Sequence, residues 1–145
     1  MRLIIENLTI AYDANSDAVV KEVNLSVAAG QLVVIVGPNG CGKSTLLRAI
    51  ARLQKPQAGT VSVDGQDVSQ LTPRQAAHAI ALLPQSPLAP EGISVCDLVP
   101  YGRHPHQSLL QLWSAADQAV VERAMQACNV SELAQRRLDR LSGGQ

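Results

Sequence analysis

Nine consecutive residues, Gly37-Pro38-Asn39-Gly40-Cys41-Gly42-Lys43-Ser44-Thr45, are the part of this chain best equipped for chemistry. Gly37, Gly42, Lys43 and Ser44 stand at the spacing G-x-x-x-x-G-K-[ST] of a phosphate-binding loop. Three glycines let the backbone curl without Cβ clashes, so that successive amides can point inward at phosphate oxygens. A helix starting at Lys43 adds roughly half a positive charge and several N–H donors without intrahelical partners. Lys43 is then placed to reach β- and γ-phosphates as a point charge, and the Ser44 hydroxyl to hold Mg²⁺. This is the chemistry of a nucleotide phosphate site. Cys41 lies at the same helix tip and reads as a tolerated, alkylatable side chain without a catalytic role.

The flanking elements must hold that loop. Leu32-Val33-Val34-Ile35-Val36 is an unbroken apolar run and predicts a strand buried on both faces of a parallel sheet. Leu46, Leu47, Ile50 and Leu53 recur at helical spacing and predict an amphipathic helix from Lys43. Residues 2–10 and 18–27 read as two strands joined by a polar turn over 13–17. Tyr12 stands at the mouth of that turn, where spacing alone makes it an edge-strand aromatic with its hydroxyl in water.

Beyond the helix, 60–63 predicts a short strand closed by the tight turn Asp64-Gly65. Thr72, Pro73 and Gln75 spell a capping box with proline at the first helical position. That helix gives way to a strand-like run, Ile80-Ala81-Leu82-Leu83, stopped by Pro84. Gln85 follows, just past a strand's C-terminal end, where α/β sheets place ligand contacts. The texture then turns helical. Ser94 caps a helix ending by about Val99, before Pro100. Ser114 caps a stronger one with Val120, Val121, Ala124 and Ala127 on one face, and Ser131 a last short one through Leu138. His104 and His106 lack a third ligand and read as exposed loop histidines. The fold class is α/β.

Composition narrows the rest. With 145 residues the chain is one ordinary domain or part of a larger one. Hydrophobic content is 46% without a single Phe, so the core must be aliphatic. Twelve basic residues balance twelve acidic ones, which gives no electrostatic reason to expect nucleic acid as a partner. Cys41, Cys96 and Cys128 are too widely spaced for a disulfide framework or a metal pair, which fits a reducing compartment. No apolar run approaches the roughly 18 residues of a membrane span. Leu3-Ile4-Ile5 is broken at once by Glu6 and Asn7, unlike a signal peptide. The expected location is cytoplasmic, with any membrane association made through a partner.

Leu141-Ser142-Gly143-Gly144-Gln145 closes the sequence about 100 residues after the phosphate loop, with Gln85 between them. In that order the three motifs resemble the nucleotide-binding domain of ABC transporters over essentially the whole chain. The resemblance makes Leu141–Gln145 the signature, Gln85 the Q-loop glutamine and Tyr12 the aromatic that stacks on adenine. A narrower likeness runs through Leu82-Leu83-Pro84-Gln85, Glu91-Gly92-Ile93-Ser94-Val95, Tyr101-Gly102-Arg103 and Pro105-His106-Gln107. These segments are similar to the ATPase subunits of bacterial iron(III)-siderophore importers, in a wider group with cobalamin and haem importers. Pro100 departs from the small residue that pattern has there.

The resemblance implies a phosphate-loop NTPase core: a mixed sheet around the phosphate-loop helix, an antiparallel β subdomain, and the start of a helical subdomain. It divides the chain into 1–85, antiparallel β plus phosphate-loop core, and 86–145, helical subdomain up to the signature. It implies ATP and Mg²⁺ as cofactors. ATP contacts in cis fall to Tyr12, Gly37, Pro38, Asn39, Gly40, Cys41, Gly42, Lys43, Ser44 and Thr45. Lys43 and Gln85 become the catalytic pair, and Ser44 and Gln85 the Mg²⁺ ligands. Ser142, Gly143, Gly144 and Gln145 would face the ATP of a second, head-to-tail copy. Membrane-spanning permease subunits, and indirectly a substrate-binding protein, complete the implied partners.

Phosphoryl transfer also needs a second Mg²⁺ ligand, usually an Asp ending a buried apolar strand, and a group that positions water. The nearest match, Ile93-Ser94-Val95-Cys96-Asp97, is not such a strand. In the family that strand follows the signature, so the sequence predicts the N-terminal part of a longer ATPase. Two alternatives compete with transport-coupled hydrolysis. One is a non-catalytic nucleotide-binding fragment. The other is a DNA-repair or chromosome-organising ATPase, disfavoured because 54–140 has neither sustained heptads nor a basic stripe.

Overall fold

The computed structural model describes residues 2–13, 16–85, 89–107 and 113–142. It divides into two compact units, Met1–Leu82 and Leu83–Gln145.

The first unit is built on a four-stranded antiparallel sheet. Its strands are β1 (Leu3–Ile10), β2 (Val20–Val27), β3 (Ala58–Val63) and β4 (Gln66–Asp67), in the order β2-β1-β3-β4. Helix α1 (Lys43–Ile50) lays Leu46 and Ala49 against it. Ile5, Leu8 and Ile10 of β1 are the largest fully buried side chains among the described residues. Burying each contributes roughly 1.5–3 kcal/mol. Their spacing of three and then two breaks strict alternation, and a bulge absorbs the extra residue. Asn7 turns to φ 49°, the pairing shifts between Ile5 and Leu8, and the Asn24 side chain accepts from the Asn7 amide at 2.9 Å. Gly59 of β3 faces this bulge at φ 82°, where a Cβ would lie 2.4 Å from the Asn7 carbonyl oxygen. The β3–β4 turn carries Asp64 at φ 51° and Gly65 at φ 81°, the two left-handed residues a tight hairpin requires.

Helix α2 (Pro73–Ala79) begins as the sequence predicts. Thr72 Oγ1 accepts from the Gln75 amide, Gln75 accepts from the Thr72 amide, and Pro73 occupies the first turn. The two apolar runs come out differently. Residues 31–38 form no strand: Leu32, Val34 and Val36 are 92%, 71% and 84% exposed, and only Ile35 packs against the core. Residues 80–83 likewise form no strand, with Leu83 87% exposed. The cause is non-local. Among the described residues no strand lies beside either run, so neither finds the ladder of hydrogen bonds that a buried strand requires. The described sheet is therefore antiparallel throughout. Helix α1 also stops at Ile50, leaving Leu53 61% exposed.

The second unit packs helix α4 (Ala115–Ala127) onto helix α3 (Val95–Leu98) and the turns that follow. Its core is Val95, Val121 and Met125, with Val99, Val130, Leu133, Ala134, Leu138 and Leu141 around it. The buried face of α4 is Asp117, Val121 and Met125 rather than the expected Ala124 and Ala127, both of which are exposed. Ser114 and Asp117 close a capping box, and Asp117 is held in an ion pair with Arg103 at 2.8 Å. Ser94 caps α3 as predicted, bonding Asp97, so that aspartate serves a helix cap. Pro100 does not end helical structure. It sits in the first turn of a 3-10 helix, Val99–His106, which also holds His104 and His106, the former edge-on to Tyr101. Ser131 opens only a 3-10 turn, Ser131–Leu133, without a side-chain cap, and a second turn follows at Leu138–Arg140. No helix among the described residues is long and apolar enough to cross a membrane.

Candidate nucleotide-phosphate site

Helix α1 differs from its neighbours at one end. The N-termini of α2, α3 and α4 are closed by the side chains of Thr72, Ser94 and Ser114. The N-cap of α1 is Gly42, with no side-chain hydrogen bond, and no acidic residue stands in its first turn. Its leading amides keep donors for a ligand. Gly42 is left-handed at φ 94°, and a Cβ there would meet the Val19 carbonyl oxygen at 3.1 Å and Val20 at 3.0 Å. The glycine thus turns the loop and lets it lie against β2. Gly40, at φ 80°, makes the other left-handed turn of the loop.

Lys43 folds back into the cup. Its Nζ donates to the carbonyl oxygens of Gly37 at 2.9 Å and Pro38 at 2.6 Å, and lies 3.7 Å from Cys41 Sγ. The ammonium is held by two neutral acceptors, which a phosphate oxygen would outcompete as a charged one. A cavity of 310 Å³ adjoins the loop, lined in part by Val20, Val23, Ile35, Gly42 and Lys43. Ser44 is exposed at the start of α1, while Thr45 is buried beside it.

Tyr12 is placed differently from an edge aromatic with its hydroxyl in water. The side chain is 65% exposed, yet its hydroxyl lies 2.9 Å from Thr45 Oγ1, which is buried. Tyr12 and the 37–45 loop are thus brought together in the first unit. Gln85 and Ser142 belong to the second unit, and Gln85 is exposed. Gly143, Gly144 and Gln145 lie outside the described residues. Among the described residues no group of three His, Cys, Asp or Glu is arranged to hold a metal ion.

An open helix tip, a left-handed glycine hinge and a lysine turned into the loop are the features a phosphate-binding loop requires. The comparisons say which kind. Residues 20–145 match the ABC transporter family model, and the chain belongs to that family. It is 44% identical over 138 residues to the achromobactin transport ATP-binding protein of Dickeya dadantii, covering 95% of this chain and 51% of that protein. It is 42% identical over 140 residues to the petrobactin import ATP-binding protein of Bacillus anthracis, covering 97% and 50%. With the ferric enterobactin transport ATP-binding protein of Escherichia coli it shares 41% over 144 residues, covering 99% and 52%. The chain spans about half the length of the curated relatives it matches.

Among solved structures, a nucleotide-free ATP-binding cassette from an ABC transporter superposes with a TM-score of 0.78 at 28% identity, covering 99% of this chain and 60% of that one. A bacterial Atm1-family ABC exporter with ATP bound gives 0.79 at 26%, covering 99% and 25%. The α/β class with its phosphate-loop helix therefore stands, and the fold serves importers and exporters alike.

Proposed function

We propose that this chain supplies the ATP-binding half-site of an ATPase that drives import of iron(III)-siderophore complexes. The observation that carries the reading is the uncapped N-terminus of α1 behind Gly37–Gly42, with Lys43 turned into the loop. The cargo class is supported by the relatives, which are named for achromobactin, petrobactin and ferric enterobactin transport.

In this reading the amides of Gly37, Asn39, Gly40, Cys41 and Gly42 and of the first turn of α1 cradle the β- and γ-phosphates. Pro38, which has no amide proton, shapes the loop, and Lys43 leaves its carbonyl acceptors for the γ-phosphate. Ser44 and Gln85 hold Mg²⁺, with Gln85 also acting beside Lys43 in catalysis. Tyr12 stacks on adenine. Ser142, Gly143, Gly144 and Gln145 of a second copy, packed head to tail, close over the same γ-phosphate, so the dimer opens when that phosphate is released. Residues 1–85 form the β and phosphate-loop region, and 86–145 the helical region that transmits the motion to permease subunits. The protein then sits on the cytoplasmic face of the membrane through those subunits and meets a substrate-binding protein only indirectly.

The test is Mg²⁺-dependent ATP hydrolysis by the intact protein together with iron-chelate uptake in cells lacking it. The reading expects turnover that Lys43→Ala removes, and uptake that only the unaltered protein restores. Turnover unaffected by Lys43→Ala would sink the site assignment, and normal chelate uptake in its absence would sink the cargo.

A further inference from the structure

The exposed ring of Tyr12 is anchored more firmly than its exposure suggests. Its hydroxyl lies 2.9 Å from Thr45 Oγ1, and Thr45 is only 4% exposed, in the first turn of α1. The backbone on either side of the ring is pinned as well. Gln54 Nε2 donates to the Ala11 carbonyl oxygen at 3.2 Å, and Gln57 Nε2 to the Asp13 carbonyl oxygen at 3.3 Å. The Gln57 amide also donates to Thr9 O at 2.8 Å, tying the same segment to the end of β1. Tyr12 is therefore held from below by α1 and from both sides by the segment that leaves it.

We propose that Thr45 is a positioning residue that locks Tyr12 to the phosphate-loop helix, so that base platform and phosphate cup form one preorganised unit. The proposal rests on the ATP reading above and deepens it. A ring free to swing loses rotamer freedom when a base stacks on it; a ring already tethered loses less, and that difference appears as affinity. The tether also acts on the base alone. A ligand with phosphates and no base meets the cup and never meets Tyr12.

Two substitutions remove the tether from opposite ends: Tyr12→Phe keeps the ring, and Thr45→Val keeps the shape. In the intact protein each should weaken ATP binding roughly two- to tenfold, the range of one net hydrogen bond. The double variant should be no weaker than either single one, because both remove the same bond. Thr45→Ser, which keeps the hydroxyl, should recover most of the affinity that Thr45→Val loses. Every variant should lose more affinity for ATP than for inorganic tripolyphosphate with Mg²⁺. Additive losses in the double variant would overturn the tether, as would equal losses of ATP and tripolyphosphate affinity in Thr45→Val, which would place that hydroxyl on the phosphates. If the unaltered protein binds tripolyphosphate but shows no preference for ATP over it, the base platform fails and the tether with it. If it binds neither, the ATP reading itself fails.

Discussion

The Lys43 ammonium rests 2.6 Å from the carbonyl oxygen of Pro38, five residues back in its own loop. The chain thus holds this cation on neutral backbone, at the tip of the one described α-helix that no side chain or acidic first turn closes. A carbonyl is a weaker partner for an ammonium than a phosphate oxygen, so the contact holds the lysine without trapping it.

Removing that cation gives the first prediction. Lys43→Ala in the intact protein should lower ATP turnover roughly 10²–10³-fold, the cost of deleting one preorganised charge-stabilising donor. Steady-state hydrolysis measures it, and thermal unfolding should change little because Lys43 is not part of the buried core.

The bulge of β1 makes a second. Gly59→Ala combines φ 82° with a Cβ placed 2.4 Å from Asn7 O and should cost about 2–4 kcal/mol. Gly65→Ala shares a positive φ of 81° but meets open space, and should cost only about 1–2 kcal/mol. Urea midpoints of the two variants separate backbone strain from collision.

Asp117 supplies the third. The Ser114 hydroxyl first, and the Arg103 guanidinium second, hold its carboxyl below the usual carboxylate value. A carboxylate whose folded pKa is depressed stabilises the fold above its unfolded value and loses that contribution as pH falls through the folded one. Asp117→Asn should therefore destabilise the protein at neutral pH and flatten the fall in stability on acidification. Unfolding curves taken from neutral pH to below the carboxylate range test both halves.

The fourth concerns the 145-residue polypeptide expressed alone. Leu32, Val34 and Val36 present an exposed apolar stretch with unpaired backbone, a template for edge-to-edge association. The polypeptide should self-associate, bind ATP weakly and not turn it over. Val34→Lys should reduce the association, and sedimentation velocity reads the change.

What could be foreseen from the sequence follows the range of the interactions. The caps at Thr72, Ser94 and Ser114 were legible because donor and acceptor stand three residues apart. The left-handed turns at Gly40 and Gly42 that lead into α1 are legible too, because glycines mark them in one contiguous motif. The run Leu32–Val36 has the apolarity of a strand and forms none, because apolarity fixes where a strand would be buried and not which strand pairs with it. On α4 the helical spacing points to Ala124 and Ala127, yet both small residues are exposed. The real stripe, Asp117, Val121 and Met125, runs at i, i+4 and i+8 and starts with a charge held by hydrogen bonds from Ser114 and by Arg103. The Tyr12–Thr45 contact spans 33 residues and has no local signal at all.

The assignment of Lys43 and its loop depends on where the phosphates go. Its most direct test is the structure of the intact protein with a non-hydrolysable ATP analogue and Mg²⁺. The β- and γ-phosphates should be enclosed by the amides between Gly37 and Thr45, with Lys43 Nζ moved from Gly37 O and Pro38 O onto them. Nucleotide bound elsewhere, with Lys43 still on those two carbonyls, would contradict it.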